Sequence, residues 1–147
     1  MINETMSISK QLSMNDSGET GGHQAGMLIP KNGEILGFFP KLDSSRKNPR
    51  ASMYFTDKYG KIWKMNFIYY NNRFFGGTRN EYRLTGMTAW FRESNLKAGD
   101  EIILTRSNNQ LSIDYRRENA PVMQESITDG TKKTVLLIGG GWKVIDY

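Results

Sequence analysis

The sequence predicts a mainly β protein folded as a closed or nearly closed barrel, with two short helices. Seven short apolar segments recur along the chain, and Gly, Asn and Asp turn signals separate them. A Phe and Tyr content above that of an average protein also favours strands. The predicted strands are residues 8–14, 25–30, 51–56, 61–70, 79–84, 101–106 and 111–117.

Two segments, residues 31–39 and 87–94, are typical of short helices. The side chains of the first that we expect to pack inward are Ile35, Leu36, Phe38 and Phe39. Near the C-terminus, residues 135–138 and 142–145 are interpreted as edge strands, joined by a run of three glycines. With 147 residues and no evident linker, residues 1–147 are expected to form one domain.

Composition excludes several classes of protein. No apolar run approaches the roughly 18 residues of a membrane span, and the polar N-terminus is not typical of a signal peptide. The absence of cysteine excludes disulfides and thiolate metal sites, and a single histidine, His23, makes a His-based zinc site implausible. We therefore expect a cytoplasmic protein with no cofactor, no bound metal and no membrane association.

The positive charge is concentrated in one part of the chain. Of the net charge of +5, residues 1–40 carry −2 and residues 84–147 carry zero, whereas residues 41–83 carry +7. A localised basic block favours a polyanionic partner, because each neutralised phosphate releases condensed counterions. A solvated basic face without a partner is the alternative explanation.

Motifs that would indicate an enzyme are missing. No Asp or Glu is followed two positions later by Lys, the pair that many metal-dependent nucleases use. His23 is not part of the His-x-Lys pair that some nucleases use, and no phosphate-binding glycine loop is present. With a single histidine in the chain, no Ser or Thr has a plausible pair of His and acid partners for a catalytic triad. The chain by itself is expected to be non-catalytic.

Two polar segments are candidates for contacts with DNA. The first, residues 13–24, is long for a connector, contains three glycines and offers little to bury. Its candidate DNA-binding residues are Asn15, Asp16, Thr20, His23 and Gln24. An ordinary exposed loop is the alternative.

The second segment is residues 71–83, whose candidate DNA-binding residues are Arg79, Glu81 and Arg83. In an extended chain Arg79, Glu81 and Arg83 share one face, where Arg can donate to guanine and Glu can accept from cytosine. A cross-strand ladder of ion pairs is the alternative for the same residues. We expect Phe74 and Phe75 to pack against the core or the base of the loop, in preference to stacking on bases.

Both segments resemble the N-terminal domain of the EcoRII restriction endonuclease family. The resemblance covers residues 10–30 (KQLSMNDSGETGGHQAGMLIP) and 68–85 (IYYNNRFFGGTRNEYRLT), which together make 39 of the 147 residues. The segment LKAGDEIIL at residues 96–104 is similar to a strand-entry turn of the plant B-three domain, which shares the fold.

The resemblance implies a seven-stranded DNA-binding pseudobarrel with two arms that grip the major groove. By position, the N-arm is residues 13–24 and the C-arm is residues 72–83, and the resemblance adds Arg73, Thr78 and Asn80 to the candidate DNA-binding residues. The resemblance further implies recognition of a CCWGG-like site in double-stranded DNA by a monomer, beside a nuclease domain elsewhere in a larger, prokaryotic restriction enzyme. A transcriptional regulator with the same fold, and a barrel that binds single-stranded nucleic acid or another polyanion, are the alternatives. An enzyme acting alone ranks last.

Overall fold

Nine strands make up the sheet of this protein in the computed structural model, which describes residues 5–17, 26–31, 33–117, 135–138 and 141–145. The strands are β1 (Thr5–Gln11), β2 (Gly26–Ile29), β3 (Arg50–Thr56), β4 (Ile62–Tyr70), β5 (Glu81–Thr85), β6 (Glu101–Ser107), β7 (Gln110–Arg116), β8 (Val135–Ile138) and β9 (Trp142–Ile145). The helices are α1 (Met14–Ser17), α2 (Glu34–Phe38) and α3 (Thr88–Glu93), and Asn72–Phe75 forms a 3-10 turn.

The sheet consists of two antiparallel parts joined at one short parallel contact. Its strand order is β2-β5-β4-β3-β7-β6-β1-β9-β8. The parallel contact between β3 and β7 contains only the pairs Phe55–Leu111 and Thr56–Ser112. All other neighbouring strands are antiparallel. The contact therefore couples the β2-β5-β4-β3 part, which carries the second polar segment, to the rest of the molecule.

The sheet curls until its two ends approach each other. The indole Nε1 of Trp142, in β9, donates a hydrogen bond of 2.9 Å to the carbonyl of Leu28, in the edge strand β2. Trp142 is fully buried. Because edge strands expose unpaired backbone groups, this bond also satisfies a carbonyl that the β2–β5 ladder leaves outside. The predicted mainly β pseudobarrel is confirmed.

The core fills the inside of the curled sheet with side chains that alternate along the strands. In β3 and β4 these are Met53, Phe55, Met65 and Phe67, all buried, while their neighbours in sequence face outward. The two predicted helices are present: Ile35 and Phe38 of α2, and Trp90 and Phe91 of α3, are buried. Phe39 is buried as expected, and Leu36 packs partly buried against the core.

Two strand boundaries differ from the prediction for identifiable reasons. The first strand runs over Thr5–Gln11 instead of residues 8–14, because Ser13 begins α1 through a reciprocal hydrogen bond with Asp16. The fifth begins at Glu81 instead of residue 79, because the backbone N–H of Arg79 bonds to the side chain of Asn72 within the preceding loop. Both predicted C-terminal strands are present, which raises the strand count from seven to nine. Only β8 lies at the edge of the sheet; the prediction of 142–145 as an edge strand is wrong, because β9 pairs with β1 on one side and β8 on the other.

In the part of the chain that the structure describes, no helix has the length and apolar character needed to cross a membrane.

Replacing Trp142 with Phe tests whether the bond between the sheet ends contributes to stability. The change leaves the part-buried Leu28 carbonyl without its donor and leaves a small cavity where the larger indole packed, and we expect the free energy of unfolding to fall by about 1–3 kcal/mol. Urea denaturation would measure this. Tyr59→Phe, at an 80% exposed side chain, is the control and should change stability by less than about 0.5 kcal/mol.

Candidate nucleic-acid interface

Strand β5 places one carboxylate between two guanidinium groups on the outer face of the sheet. Glu81 Oε2 accepts hydrogen bonds from Arg79 Nη2 at 2.5 Å and from Arg83 Nε at 2.7 Å. The guanidinium of Arg79 also lies over the ring of Tyr70, 3.9 Å from its centroid. The predicted common face is therefore present. Its ion pairs run along the chain, from Arg79 in the loop before β5 to Arg83 within that strand, and not across two strands as the ladder alternative assumed.

These contacts keep Glu81 ionised. Partial burial by itself would raise the pKa of the Glu81 carboxyl. The hydrogen bonds from Arg79 and Arg83, together with their charges, outweigh that effect and hold the pKa below its ordinary value of 4.5. At neutral pH the row therefore presents one hydrogen-bond acceptor flanked by two donors.

The inner face of the same strands carries a column of stacked aromatic rings. Phe39 stacks on Phe67 at 4.6 Å, Phe67 on Tyr82 at 5.6 Å, and Tyr82 on Tyr69 at 4.1 Å between ring centroids. The hydroxyl of Tyr69 then donates to Asn80 Oδ1 at 2.7 Å. Asn80 therefore lies on the face opposite Arg79 and Glu81, as predicted, and the column connects the core to the end of the C-arm.

Asn72 organises the loop at the start of the C-arm. Its carbonyl accepts from the N–H of Gly77 at 2.7 Å, and its side-chain Oδ1 accepts from the N–H of Arg79, also at 2.7 Å. The N–H of Arg73 bonds to the carbonyl of Arg79 and closes the loop. A Cβ at Gly77 would meet the Asn72 side chain at 2.7 Å, so a larger residue there would have to displace the side chain that bonds Arg79.

Asn71 lies at the base of the same loop and is 1% exposed. Its Oδ1 accepts from the N–H of Asn48 at 2.7 Å, and its Nδ2 donates to the carbonyls of Ser44 and Arg46 at 3.2 and 2.8 Å. Its own N–H donates to Asn48 Oδ1 at 3.2 Å. This group of bonds, which we call the Asn48–Asn71 clasp, fixes the loop before β3 against the C-arm.

Strand register extends the outer face from the C-arm across the sheet. Leu28 lies opposite Arg83, Arg83 opposite Ile68, and Ile68 opposite Arg50. Directly opposed residues point to the same face, so Arg50 and Arg83 lie on one face two strands apart, about 10 Å. Ile68, between them, is buried although it belongs to the outer face.

The described start of the N-arm is ordered around a buried ion pair. Lys10 Nζ bonds to Asp16 Oδ2, and both side chains are about one-tenth exposed. Ser13 and Asp16 bond reciprocally across α1, with distances of 3.0 and 3.1 Å. The expectation that this segment has little to bury is therefore wrong at Asp16. The Ser-x-x-Asp spacing is the capping signal that could have revealed it.

The remaining predicted site residues fall into two groups. Arg73 and Thr78 are exposed on the C-arm, whereas Thr20, His23 and Gln24 lie outside the described residues, as does the side chain of Asn15.

The packing predicted for Phe74 and Phe75 is wrong: their side chains are 64% and 44% exposed. The 3-10 turn that holds them contains no buried residue, since hydrogen bonds to Asn72 fix the loop instead of apolar contacts.

Sequence reasoning missed the structural roles of Asn48, Asn71 and Asn72. A pair of asparagines directly after a strand is a turn signal, but it does not show which distant backbone groups the side chains will bond. Within the described residues, no group of three or more His, Cys, Asp or Glu could hold a metal ion.

The fold and this cationic outer face define a DNA-binding pseudobarrel. The family model for the N-terminal domain of restriction endonuclease EcoRII matches residues 2–113, so the chain belongs to that family of DNA-binding domains. The type II restriction enzyme EcoRII of Escherichia coli is 43% identical over 81 residues, 52% of this chain.

Plant proteins are also similar. Auxin response factor 16 of Arabidopsis thaliana is 28% identical over 115 residues, 78% of this chain, and the B3 domain-containing transcription factor RAV1 of the same plant is 32% identical over 85 residues, 57% of this chain. The matched regions cover only 19%, 16% and 23% of EcoRII, auxin response factor 16 and RAV1. The chain thus spans less than a quarter of these relatives.

Asn71→Ala tests the clasp. The change leaves the carbonyls of Ser44 and Arg46 and the N–H of Asn48 without their partner, and we expect the free energy of unfolding to fall by about 2–3 kcal/mol. Chemical denaturation followed by tryptophan fluorescence would measure it. Asn109→Ala, at an exposed turn position, is the matched control and should stay within about 0.5 kcal/mol of wild type.

The lowered pKa of Glu81 predicts a pH dependence of stability. Ionised Glu81 stabilises the fold above its ordinary pKa of 4.5, and this contribution is lost as the pH falls through the lower folded value. The stability difference between wild type and Glu81→Gln should therefore be constant near neutral pH and shrink below pH 4.5. Denaturation curves recorded across this range would show it. A difference that widened in acid would contradict the assignment.

Proposed function

We propose that the chain is the target-recognition domain of a type II restriction endonuclease, which reads a CCWGG-like site in double-stranded DNA from the major groove. The observation that carries the proposal is the Arg79–Glu81–Arg83 row. Its donor-acceptor-donor order suits the edges of G·C pairs, where Arg bonds guanine O6 and N7 and Glu accepts from the cytosine amino group.

The rigidity of the C-arm also supports the proposal. The C-arm is fixed by the hydrogen bonds of Asn72 and by the Tyr69–Asn80 bond, so little conformational entropy is lost when it binds. In the free protein both arginines are paired with Glu81, and Arg79 is also stacked on Tyr70. These contacts hold the guanidinium groups extended on the surface, ready to meet base edges.

The position of β2 supports a second arm on the same side. The N-arm leads into β2 at Gly26 and the C-arm enters β5 at Glu81, and these strands are paired antiparallel from Gly26–Thr85 to Ile29–Tyr82. The arms therefore enter one ladder from its two ends, and Gly26 and Glu81 lie about 14 Å apart, a span close to the roughly 12 Å width of the major groove. We propose that residues 13–24, with Asn15, Thr20, His23 and Gln24, form this arm, and that Asp16 positions it through Lys10.

The nuclease activity would belong to another part of the parent protein. This proposal rests on the similarity to EcoRII, of which the match covers 19%. It includes DNA binding by a single copy of the domain, because the recognition row lies within one chain. The stoichiometry on a single-site duplex, measured by light scattering, would test the monomer.

The plant relatives favour a second candidate, a transcriptional regulator that uses the same pseudobarrel without a nuclease. The sequence of the parent gene separates the two, since only the first candidate requires a nuclease domain in the same protein. The exposed rings of Phe74 and Phe75 favour a third candidate, binding of single-stranded nucleic acid by stacking. Tighter binding to a single strand than to the matched duplex would replace the leading proposal.

Arg79→Ala and Glu81→Ala test sequence reading by the C-arm. Each removes one base contact, so discrimination between a CCWGG duplex and a scrambled duplex of equal composition should fall by about 1–3 kcal/mol, or roughly 5- to 150-fold. Glu81→Ala should also raise affinity for the scrambled duplex, because it removes a negative charge. Fluorescence anisotropy at one fixed salt concentration would measure both.

The matched control is Arg92→Ala, at an exposed arginine of α3, which should leave discrimination unchanged. If both C-arm variants kept the wild-type preference for CCWGG, the assignment of the C-arm as the reading element would be wrong.

A further inference from the structure

The loop before β3 has an excess of positive charge that the C-arm does not account for. Residues 41–50 carry four basic side chains and one acidic side chain, Asp43, a net charge of +3. All four basic side chains are exposed. They are Lys41, Arg46, Lys47 and Arg50.

These side chains differ from the cations at the opposite end of the β3–β4 hairpin. There, Lys61 Nζ lies 3.0 Å from Glu93 and over the ring of Trp63, and Lys58 Nζ lies 4.4 Å from the ring centroid of Tyr115 and 3.7 Å from Asp114. Among the ion pairs of the described residues, none involves the four basic side chains of residues 41–50.

The carboxylate of Asp43, the acidic side chain of residues 41–50, accepts hydrogen bonds from within the same segment. The hydroxyl and N–H of Ser45 donate to Asp43 Oδ1 at 2.6 and 3.0 Å. These two bonds, in that order, lower the pKa of the Asp43 carboxyl, and the charge of Arg46 adds to the effect. One carboxylate still leaves three of the four positive charges of the loop without a compensating charge inside it.

The clasp fixes this charged loop beside the C-arm. Asn71 holds the backbone of Ser44, Arg46 and Asn48, and Asn48 adopts the left-handed conformation with φ of 49°. Tyr69 N–H adds a bond of 3.0 Å to the carbonyl of Pro49. The loop therefore has a defined position against the base of the recognition arm, which a solvated charge run would not need.

We propose that residues 41–50 bind the DNA backbone and contact the phosphates beside the groove that the C-arm enters. The proposal rests on the proposed function and adds a surface that binds without reading sequence. Arg50 shares the outer face with Arg83 and lies about 10 Å from it. If Arg83 enters a major groove roughly 12 Å wide, the phosphates along one edge of that groove therefore lie close to residues 41–50. Phosphate contacts of this kind fix the register of a protein on DNA, whereas base contacts specify the site.

The test compares two double variants of the 147-residue chain with equal loss of charge. Arg46→Gln/Lys47→Gln removes two cations of the loop and leaves the clasp intact, because Asn71 bonds only the backbone of Arg46. Arg92→Gln/Lys97→Gln removes one exposed arginine and one exposed lysine elsewhere. This control site is remote from the loop. Arg92 is next to Glu93, and Glu93 pairs with Lys61 at the end of the β3–β4 hairpin that lies about 20 Å from Arg50 along β3.

Anisotropy titrations over a range of salt concentrations, with CCWGG and scrambled duplexes, give the slope of log affinity against log salt. Loss of two phosphate contacts should make the slope of the loop variant shallower by about 1.8 for both duplexes and leave their affinity ratio unchanged. The control variant should keep the wild-type slope.

A wild-type slope in the loop variant would overturn the proposal, and so would a changed affinity ratio at constant slope, which would mean that the loop reads bases. If wild type itself bound both duplexes equally, the proposed sequence recognition would fail, while the slopes of the two variants would still decide the role of the loop.

Discussion

The register of β4 against β5 is the constraint on which the proposed recognition surface depends. It pairs Tyr70 with Glu81, Tyr69 with Tyr82 and Ile68 with Arg83. A slip of one residue would move every one of these side chains to the opposite face. The inner-face aromatic column opposes such a slip, because a shift of one residue would turn Tyr82 away from the rings of Tyr69 and Phe67. The outer-face row is thereby fixed by packing on the other side of the sheet.

Asparagine side chains order the C-arm where apolar packing is absent. The arm has exposed phenylalanines and no buried residue in its 3-10 turn, yet Asn71 and Asn72 bond the backbone at its base and along its length. A buried side-chain amide lowers the stability of the fold unless its donors and acceptors are hydrogen-bonded. In Asn71 both the Oδ1 and the Nδ2 atom have partners. A loop built in this way keeps its charged groups on the surface, where the proposed function needs them.

The sequence by itself determined the fold class and the location of the candidate site. Alternating apolar residues and turn signals predicted the strands of the barrel and both helices, because sheet periodicity and turn chemistry are local properties. The same periodicity placed Arg79, Glu81 and Arg83 on one face and Asn80 on the other. The family was identified from the two polar segments, whose residues folding alone would not require.

Only the tertiary structure decided which distant groups meet. The clasp joins Asn48 and Asn71, the ends of the sheet meet through Trp142 and Leu28, and Asp16 is buried against Lys10, although its segment had been expected to bury little. Local sequence predicts how a backbone turns, but a hydrogen bond between segments depends on the curl and register of the whole sheet. For the same reason the exposure of Phe74 and Phe75 was missed: hydrophobicity predicts burial only where the fold provides a partner surface.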